Sequence, residues 1–191
     1  MNVFLHSIPQ IAENWDKMKH LFKAETIPAK TILLRQGEIS THIYIIVSGA
    51  LRMYYIDNEG KDISFQFFFE NQLVSSFESF YLKKESKFYI ESLEKTEVVS
   101  INKTDFDKLL SEFPEMYRYV TEFVCNRFFN YTNVFLSQIK GSPEERCLEF
   151  LKENPKIAER VPQHYIASYL GITPVSLSRI RNRISKIPHD N

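Results

Sequence analysis

The sequence predicts an α+β chain: an N-terminal antiparallel β-roll of jelly-roll type, a long dimerisation helix, and a C-terminal all-α helix-turn-helix domain. Three observations lead there. Between about residues 24 and 101, short β-type runs alternate with glycine turns. From 105 to 139 the texture becomes helical, with an apolar seam. Residues 162–186 then read as two helices joined at Gly171, the second presenting cations outward.

With 191 residues, 43% hydrophobic and 25% charged, the chain can bury a core and has the composition of a folded protein. No apolar run reaches the length of a membrane span, and the N-terminus lacks the basic-then-apolar pattern of a secretory signal. A cytoplasmic location without a membrane partner is expected. The formal net charge is zero, but it is unevenly divided. Residues 1–139 hold 15 Lys and Arg against 18 Asp and Glu, whereas 140–191 hold 9 against 6. An acidic module is followed by a basic one, which suits a nucleic-acid partner for the second. Cys125 and Cys147 lie among apolar neighbours in helical patterns and read as buried thiols. No CxxC or Cys/His spacing suits zinc.

In chain order, residues 9–23 form a short amphipathic helix with Ile11, Trp15, Met18 and Phe22 near one face. Expected strands follow at Thr31–Arg35, His42–Val47, Leu51–Ile56, Ile63–Phe67, Phe88–Leu93 and Glu97–Ile101, with turns at Gly37, Gly49 and Gly60. Thr104-Asp-Phe-Asp107 supplies a side-chain acceptor and an acid for a helix start. The helical tract breaks near Pro114. Beyond it, Tyr117, Thr121, Val124, Phe128, Tyr131, Phe135 and Gln138 repeat at spacings of four and three, a heptad-like seam. Val120, Phe123 and Val134 form a second apolar face, so the helix needs two partners: the β module and a second copy of the chain.

Lys140-Gly141 ends that helix, and Ser142-Pro143-Glu144-Glu145 starts another with a capping box. The hinge is placed at 139–142, giving domains 1–139 and 140–191. After a stop at Asn154-Pro155 comes the helical pair. Gly171 permits the turn because it tolerates a positive φ, Ala167 is small at the crossing, Thr173 caps the second helix and Pro174 takes its first position. With Leu177, Ile180 and Ile184 inward, Val175, Arg179, Asn182 and Lys186 point outward, flanked by Ser176, Ser178 and Arg183. Arg suits guanine, Asn adenine, and Val a thymine methyl. An ordinary helical hairpin with a solvated basic face is the alternative.

These modules, in this order and at this length, resemble a Crp/Fnr-type transcriptional regulator over nearly the whole chain. The resemblance is carried by Leu34-Arg-Gln-Gly37-Glu38, Ile43-Tyr-Ile-Ile-Val-Ser-Gly49, the turn Asn58-Glu-Gly60, and Ala167-Ser-Tyr-Leu-Gly171-Ile-Thr with Leu177-Ser-Arg179-Ile. The glycine spacing is that of the family's cyclic-nucleotide-binding-like roll. The resemblance implies a bacterial homodimer joined through its long helices, double-stranded DNA bound in successive major grooves, and RNA polymerase as a further partner. Arg179 is expected to read a base. Gln163, His164, Ser176 and Arg183, assisted by Lys186, are expected mainly on phosphates, with Thr173, Val175, Ser178 and Asn182 completing the face. Where some members place Arg and Glu in the recognition helix, this chain has Pro174 and Val175, so its operator differs from theirs.

The roll departs further. Members that bind cyclic AMP carry a Gly-Glu pair and a later Arg-Ser or Arg-Thr pair, the Glu holding the ribose hydroxyl and the Arg the cyclic phosphate. Along Asn71–Phe88, Gln72 is expected in place of the acid and Ser86 in place of the arginine. Lys87 is adjacent, but a lysine does not reproduce the guanidinium fork. Tight cyclic AMP binding is therefore not expected. Two cysteines cannot ligate an iron–sulfur cluster, and His42, the β region's single histidine, does not make a haem site. No cofactor is expected. A small effector of another kind is, with Gln72, Ser75, Ser76, Glu78, Ser86 and Lys87 as pocket candidates and helix capping as the competing use of the serines. An effector-independent regulator with a vestigial roll is the second reading. A cupin-like metalloenzyme is the third, disfavoured by the lack of paired metal ligands or of any nucleophile–base set.

Overall fold

The computed structural model describes residues 9–139 and 142–184. By their contacts they form two compact units. One comprises the residues up to Ile56 with Phe65–Phe123; the other comprises Asp57–Ser64 with the residues from Val124 onward.

The first unit is the roll. It opens with helix α1 (Pro9–Met18) and a 3-10 turn (Lys19–Leu21), then strands β1 (Lys23–Ile27), β2 (Ile32–Leu34), β3 (His42–Ser48) and β4 (Leu51–Ile56). Strand β5 (Asp62–Phe68), β6 (Leu73–Val74), helix α2 (Phe77–Leu82), β7 (Tyr89–Ser92) and β8 (Thr96–Asn102) complete it. Two four-stranded sheets result, ordered β1-β8-β3-β6 and β2-β7-β4-β5. The registers pair Thr26 with Glu97, Ile43 with Ile101 and Met53 with Ile90, all antiparallel. Period-2 alternation sends Ile46, Leu51, Met53, Phe68, Val74, Ile90 and Val98 into one core between the sheets. The other face of the first sheet packs Ile43, Ile45 and Ile101 against Ile11, Met18, Leu21, Phe106 and Leu109. Trp15 and Phe22 lie half-buried at the edge of that cluster, their ring centroids 5.7 Å apart.

The Gly49 turn requires its glycine. Its φ is +102°, and a Cβ there would fall 2.5 Å from Thr96 Oγ1 and 2.7 Å from Thr96 Cα. Buried polarity is paired: Arg52 Nε donates to Glu91 Oε2 at 2.7 Å, with the guanidinium 3.8 Å from the Tyr54 ring centroid. Tyr44 is pushed up to about 12 by burial, helped by the Glu25 carboxylate nearby.

Helix α3 (Lys103–Glu112) follows. Its N-cap is Asn102, whose side chain accepts from the Asp105 N–H at 2.9 Å. This corrects the start expected at Thr104, because the last residue of β8 already supplies the acceptor. The chain breaks at Pro114, and helix α4 runs from Met116 to Ile139, 24 residues or about 36 Å. Tyr119 and Val120 pack on the roll core. The seam residues Tyr117, Val124, Phe128, Tyr131 and Phe135 are exposed. Cys125 is also exposed, which corrects its reading as a buried thiol. It follows Val124 on a stretch where even the large apolar side chains face outward.

The second unit holds the rest of α4 and helices α5 (Pro143–Glu153), α6 (Pro155–Arg160), α7 (Gln163–Leu170) and α8 (Pro174–Ile184). The expected capping box is present: Ser142 N–H donates to Glu145 Oε2 at 2.6 Å and Glu145 N–H to Ser142 Oγ at 3.3 Å. These bonds hold the Glu145 carboxyl below its ordinary range. Helix α6 is a short element not anticipated from the sequence; Pro155, expected only as a stop, also opens it, because proline suits a first helical position. Within this unit the Ser168 hydroxyl donates to the Asp62 carbonyl at 2.8 Å and accepts from the Ser64 N–H at 3.0 Å. Among the described residues no helix is long and apolar enough to cross a membrane.

Candidate functional site

The α7–α8 pair is set by its turn. Gly171 has φ +66°; its N–H bonds back to the Ser168 carbonyl and that of Ile172 to Ala167, at 3.2 and 3.0 Å. These 5→2 and 6→1 bonds form a Schellman closure, which needs a left-handed residue at this point. Thr173 Oγ1 accepts from the Ser176 N–H at 3.1 Å and caps α8. Ile166, Ala167, Leu177 and Ile180 are buried, fixing α8 against α7. Cys147 is buried in the same unit, and burial pushes its thiol up, with Arg181 acting against that shift. The Phe150 and Tyr169 rings stack at 4.8 Å.

With that face buried, α8 turns Val175, Ser178, Arg179, Asn182 and Arg183 outward, all exposed, with Ser176 half-buried. Gln163 and His164 stand exposed in the first turn of α7. Among the described residues Arg179 makes no hydrogen bond or ion pair. Arg183 is engaged: its Nη1 donates to both carboxylate oxygens of Glu144, at 2.9 and 3.0 Å. That partner was not legible from sequence, being 39 positions away on α5. Lys186 lies outside the described residues. The face can donate forked hydrogen bonds from Arg179 and offers a methyl surface at Val175.

The pocket candidates in the roll are engaged in hydrogen bonds and ion pairs, four of them with one another: Ser76 with Ser86 and Glu78 with Lys87. Gln72 is exposed and closes the turn before β6: its side-chain oxygen accepts from the Phe69 N–H at 2.9 Å, its main-chain carbonyl from Ile46 at 3.1 Å. Ser75 Oγ donates to the His42 carbonyl at 3.1 Å. Ser76 and Ser86 are both buried, with their hydroxyls 2.9 Å apart, and Ser86 Oγ also lies 2.8 Å from the Phe88 carbonyl. Lys87 and Glu78 form an exposed ion pair at 3.2 Å. The residue facing Ser86 is Ser76. Ser76 and Ser86 carry no charge to set against a phosphate, and the adjacent cation, Lys87, is in an exposed ion pair with Glu78. A separate groove runs beside Trp15, Phe22, Val47 and Val99, with Lys19, Glu25 and Glu97 among its lining; none of the six candidates takes part. Among the described residues no group of three or more His, Cys, Asp and Glu could hold a metal ion.

Comparison with known proteins agrees with this architecture. Residues 24–113 match the family model of the cyclic nucleotide-binding domain. No curated protein matches the sequence. Among solved structures, the c-di-GMP-responsive global regulator CLP of Xanthomonas campestris is similar with a TM-score of 0.74 at 14% identity, covering 91% of each chain. FixK2 of Bradyrhizobium japonicum gives 0.75 at 16%, covering 86% of this chain and 84% of its own. A Eubacterium rectale chain described as a putative transcriptional regulator of the Crp/Fnr family gives 0.70 at 18%, covering 90% and 86%. Residues 24–113 thus match the cyclic nucleotide-binding domain, in a chain whose fold is similar to those of CLP, FixK2 and the Eubacterium rectale chain over most of its length.

Proposed function

We propose that this chain is a homodimeric, sequence-specific DNA-binding transcriptional regulator whose roll responds to a small effector other than cyclic AMP. The observation that carries the reading is α8: capped, seated on α7 through a left-handed glycine, and presenting Arg179 with no partner among the described residues. The exposed apolar seam of α4 supports the homodimer, which would place two such helices on successive half-sites. RNA polymerase is its partner in transcription. Cyclic AMP, haem and iron–sulfur clusters have no place in the proposal, nor does catalysis.

Selection of bound duplexes from a random pool, at stated salt and with or without a metabolite extract, tests the reading. Enrichment of a two-fold symmetric site with half-sites about 10 base pairs apart supports it; an unenriched pool refutes it. Titration calorimetry with cyclic AMP tests the roll, and micromolar or tighter binding would overturn that part. The closed hydrogen bonding of Ser76, Ser86 and Phe88 favours a second reading, an effector-independent regulator with a vestigial roll. Equal enrichment with and without metabolites would favour it.

A further inference from the structure

Two arginines lie on one stripe of α8 and differ in what they hold. Four residues apart, Arg179 and Arg183 project about 40° from each other around the helix. Arg179 is unengaged among the described residues, whereas Arg183 Nη1 is shared between the two oxygens of Glu144. Glu144 stands in the first turn of α5, where the positive end of the helix dipole favours a carboxylate. To Arg183 it offers the chemistry a DNA phosphate would offer: two anionic oxygens accepting from a guanidinium.

We infer that Glu144 is a built-in competitor for phosphate at Arg183, lowering affinity for all duplex DNA alike and leaving discrimination to Arg179. The inference rests on the DNA-binding reading of α8. The pair is solvent-exposed, with side chains 71% and 44% accessible, so it is weak enough for DNA to displace. Displacement still opposes binding twice, because the ion pair must break and an unpaired carboxylate is then left beside a polyanion. Glu144→Gln removes both obstacles. It is a surface change, so the fold should survive it.

Binding to a labelled random-sequence duplex is measured by fluorescence anisotropy over a salt series. Glu144→Gln should bind about 3–10-fold tighter near 0.1 M salt, with a slope of log K against log salt close to the wild type's, because Arg183 neutralises the same phosphate in both complexes. Glu149→Gln removes the same charge from the same helix without touching Arg183, and should give much less of that gain. Arg183→Gln should cost more in the Glu144→Gln background than in the wild type and should abolish the gain. Wild-type binding with no tightening in Glu144→Gln, or a gain that survives Arg183→Gln, would overturn the inference alone. No binding by the wild type even at low salt would overturn the DNA reading and this inference with it.

Discussion

Replacing Phe128 by alanine should dissolve the proposed dimer while leaving the protomer folded. Phe128 is 66% exposed in the single chain, on the α4 seam with Tyr117 and Phe135. A phenylalanine offers on the order of 200 Å² for burial, so roughly 130 Å² of this ring is left to be covered by a partner. At about 25 cal/mol per Å² this is about 3 kcal/mol per protomer. Alanine keeps part of that area, so about 2 kcal/mol is lost per protomer and about 4 kcal/mol per dimer. The dimer dissociation constant should rise about a thousandfold. Sedimentation velocity over a dilution series reads the shift, with circular dichroism confirming that α4 is still helical. Tyr81 is 63% exposed but sits on α2, so Tyr81→Ala is the control for exposure alone. A wild type that stays monomeric throughout, or a Phe128→Ala dissociation constant equal to the wild type's, would refute the reasoning.

Four further outcomes are expected. Arg179→Ala should lose about 1–3 kcal/mol at the selected operator and relax preference at one base position; an equal loss on every sequence would remove its role as a reader. Gly49→Ala should cost about 3 kcal/mol, combining a positive φ with collision against the Thr96 backbone, and lower the melting temperature by about 6–12 °C. For the buried pair, with side chains 3% and 11% accessible, Arg52→Met alone should cost about 3–5 kcal/mol, whereas Arg52→Met with Glu91→Leu should return to within about 1 kcal/mol of wild type; urea denaturation compares them. Tyr44 should ionise near pH 12, as a step at 295 nm missing from Tyr44→Phe. Its folded-state value lies above the ordinary 10, so the stability it contributes is intact below pH 10 and lost as pH rises through 12, about 3 kcal/mol in all.

Much of this molecule can be read locally, and local chemistry explains which parts. The Ser142 capping box and the Gly171 turn satisfy orphan helix groups with neighbours a few residues away, and Pro174 at the head of α8 removes one such group by lacking an N–H, so their spacing alone reveals them. The inward choice of Leu177 and Ile180 fixes the outward choice of Arg179, because the helical period leaves no freedom. What stayed hidden depends on packing between distant segments. Arg183 reaches Glu144 only because the two helices that carry them are folded together. Ser76 faces Ser86 because α2 starts where it does, a pairing of residues 10 positions apart that no local period encodes. Cys125 was misread since periodicity shows that a face is apolar, not whether anything covers it. Strand β6, two residues long, carries no period at all.

The half-buried Trp15 beside Phe22 makes the chain its own two-colour thermometer. It is the single tryptophan in the sequence and lies in the first unit, on the helix that closes the roll's outer sheet. Its emission therefore follows the seating of α1, whereas far-ultraviolet circular dichroism is dominated by helices, many of them in the second unit. Coincident melting by the two signals would mean that roll and reader unfold as one cooperative body, and separated transitions that each stands by itself. A melt recorded in both channels thus measures how independently the two units unfold, a property on which the proposed regulator would depend.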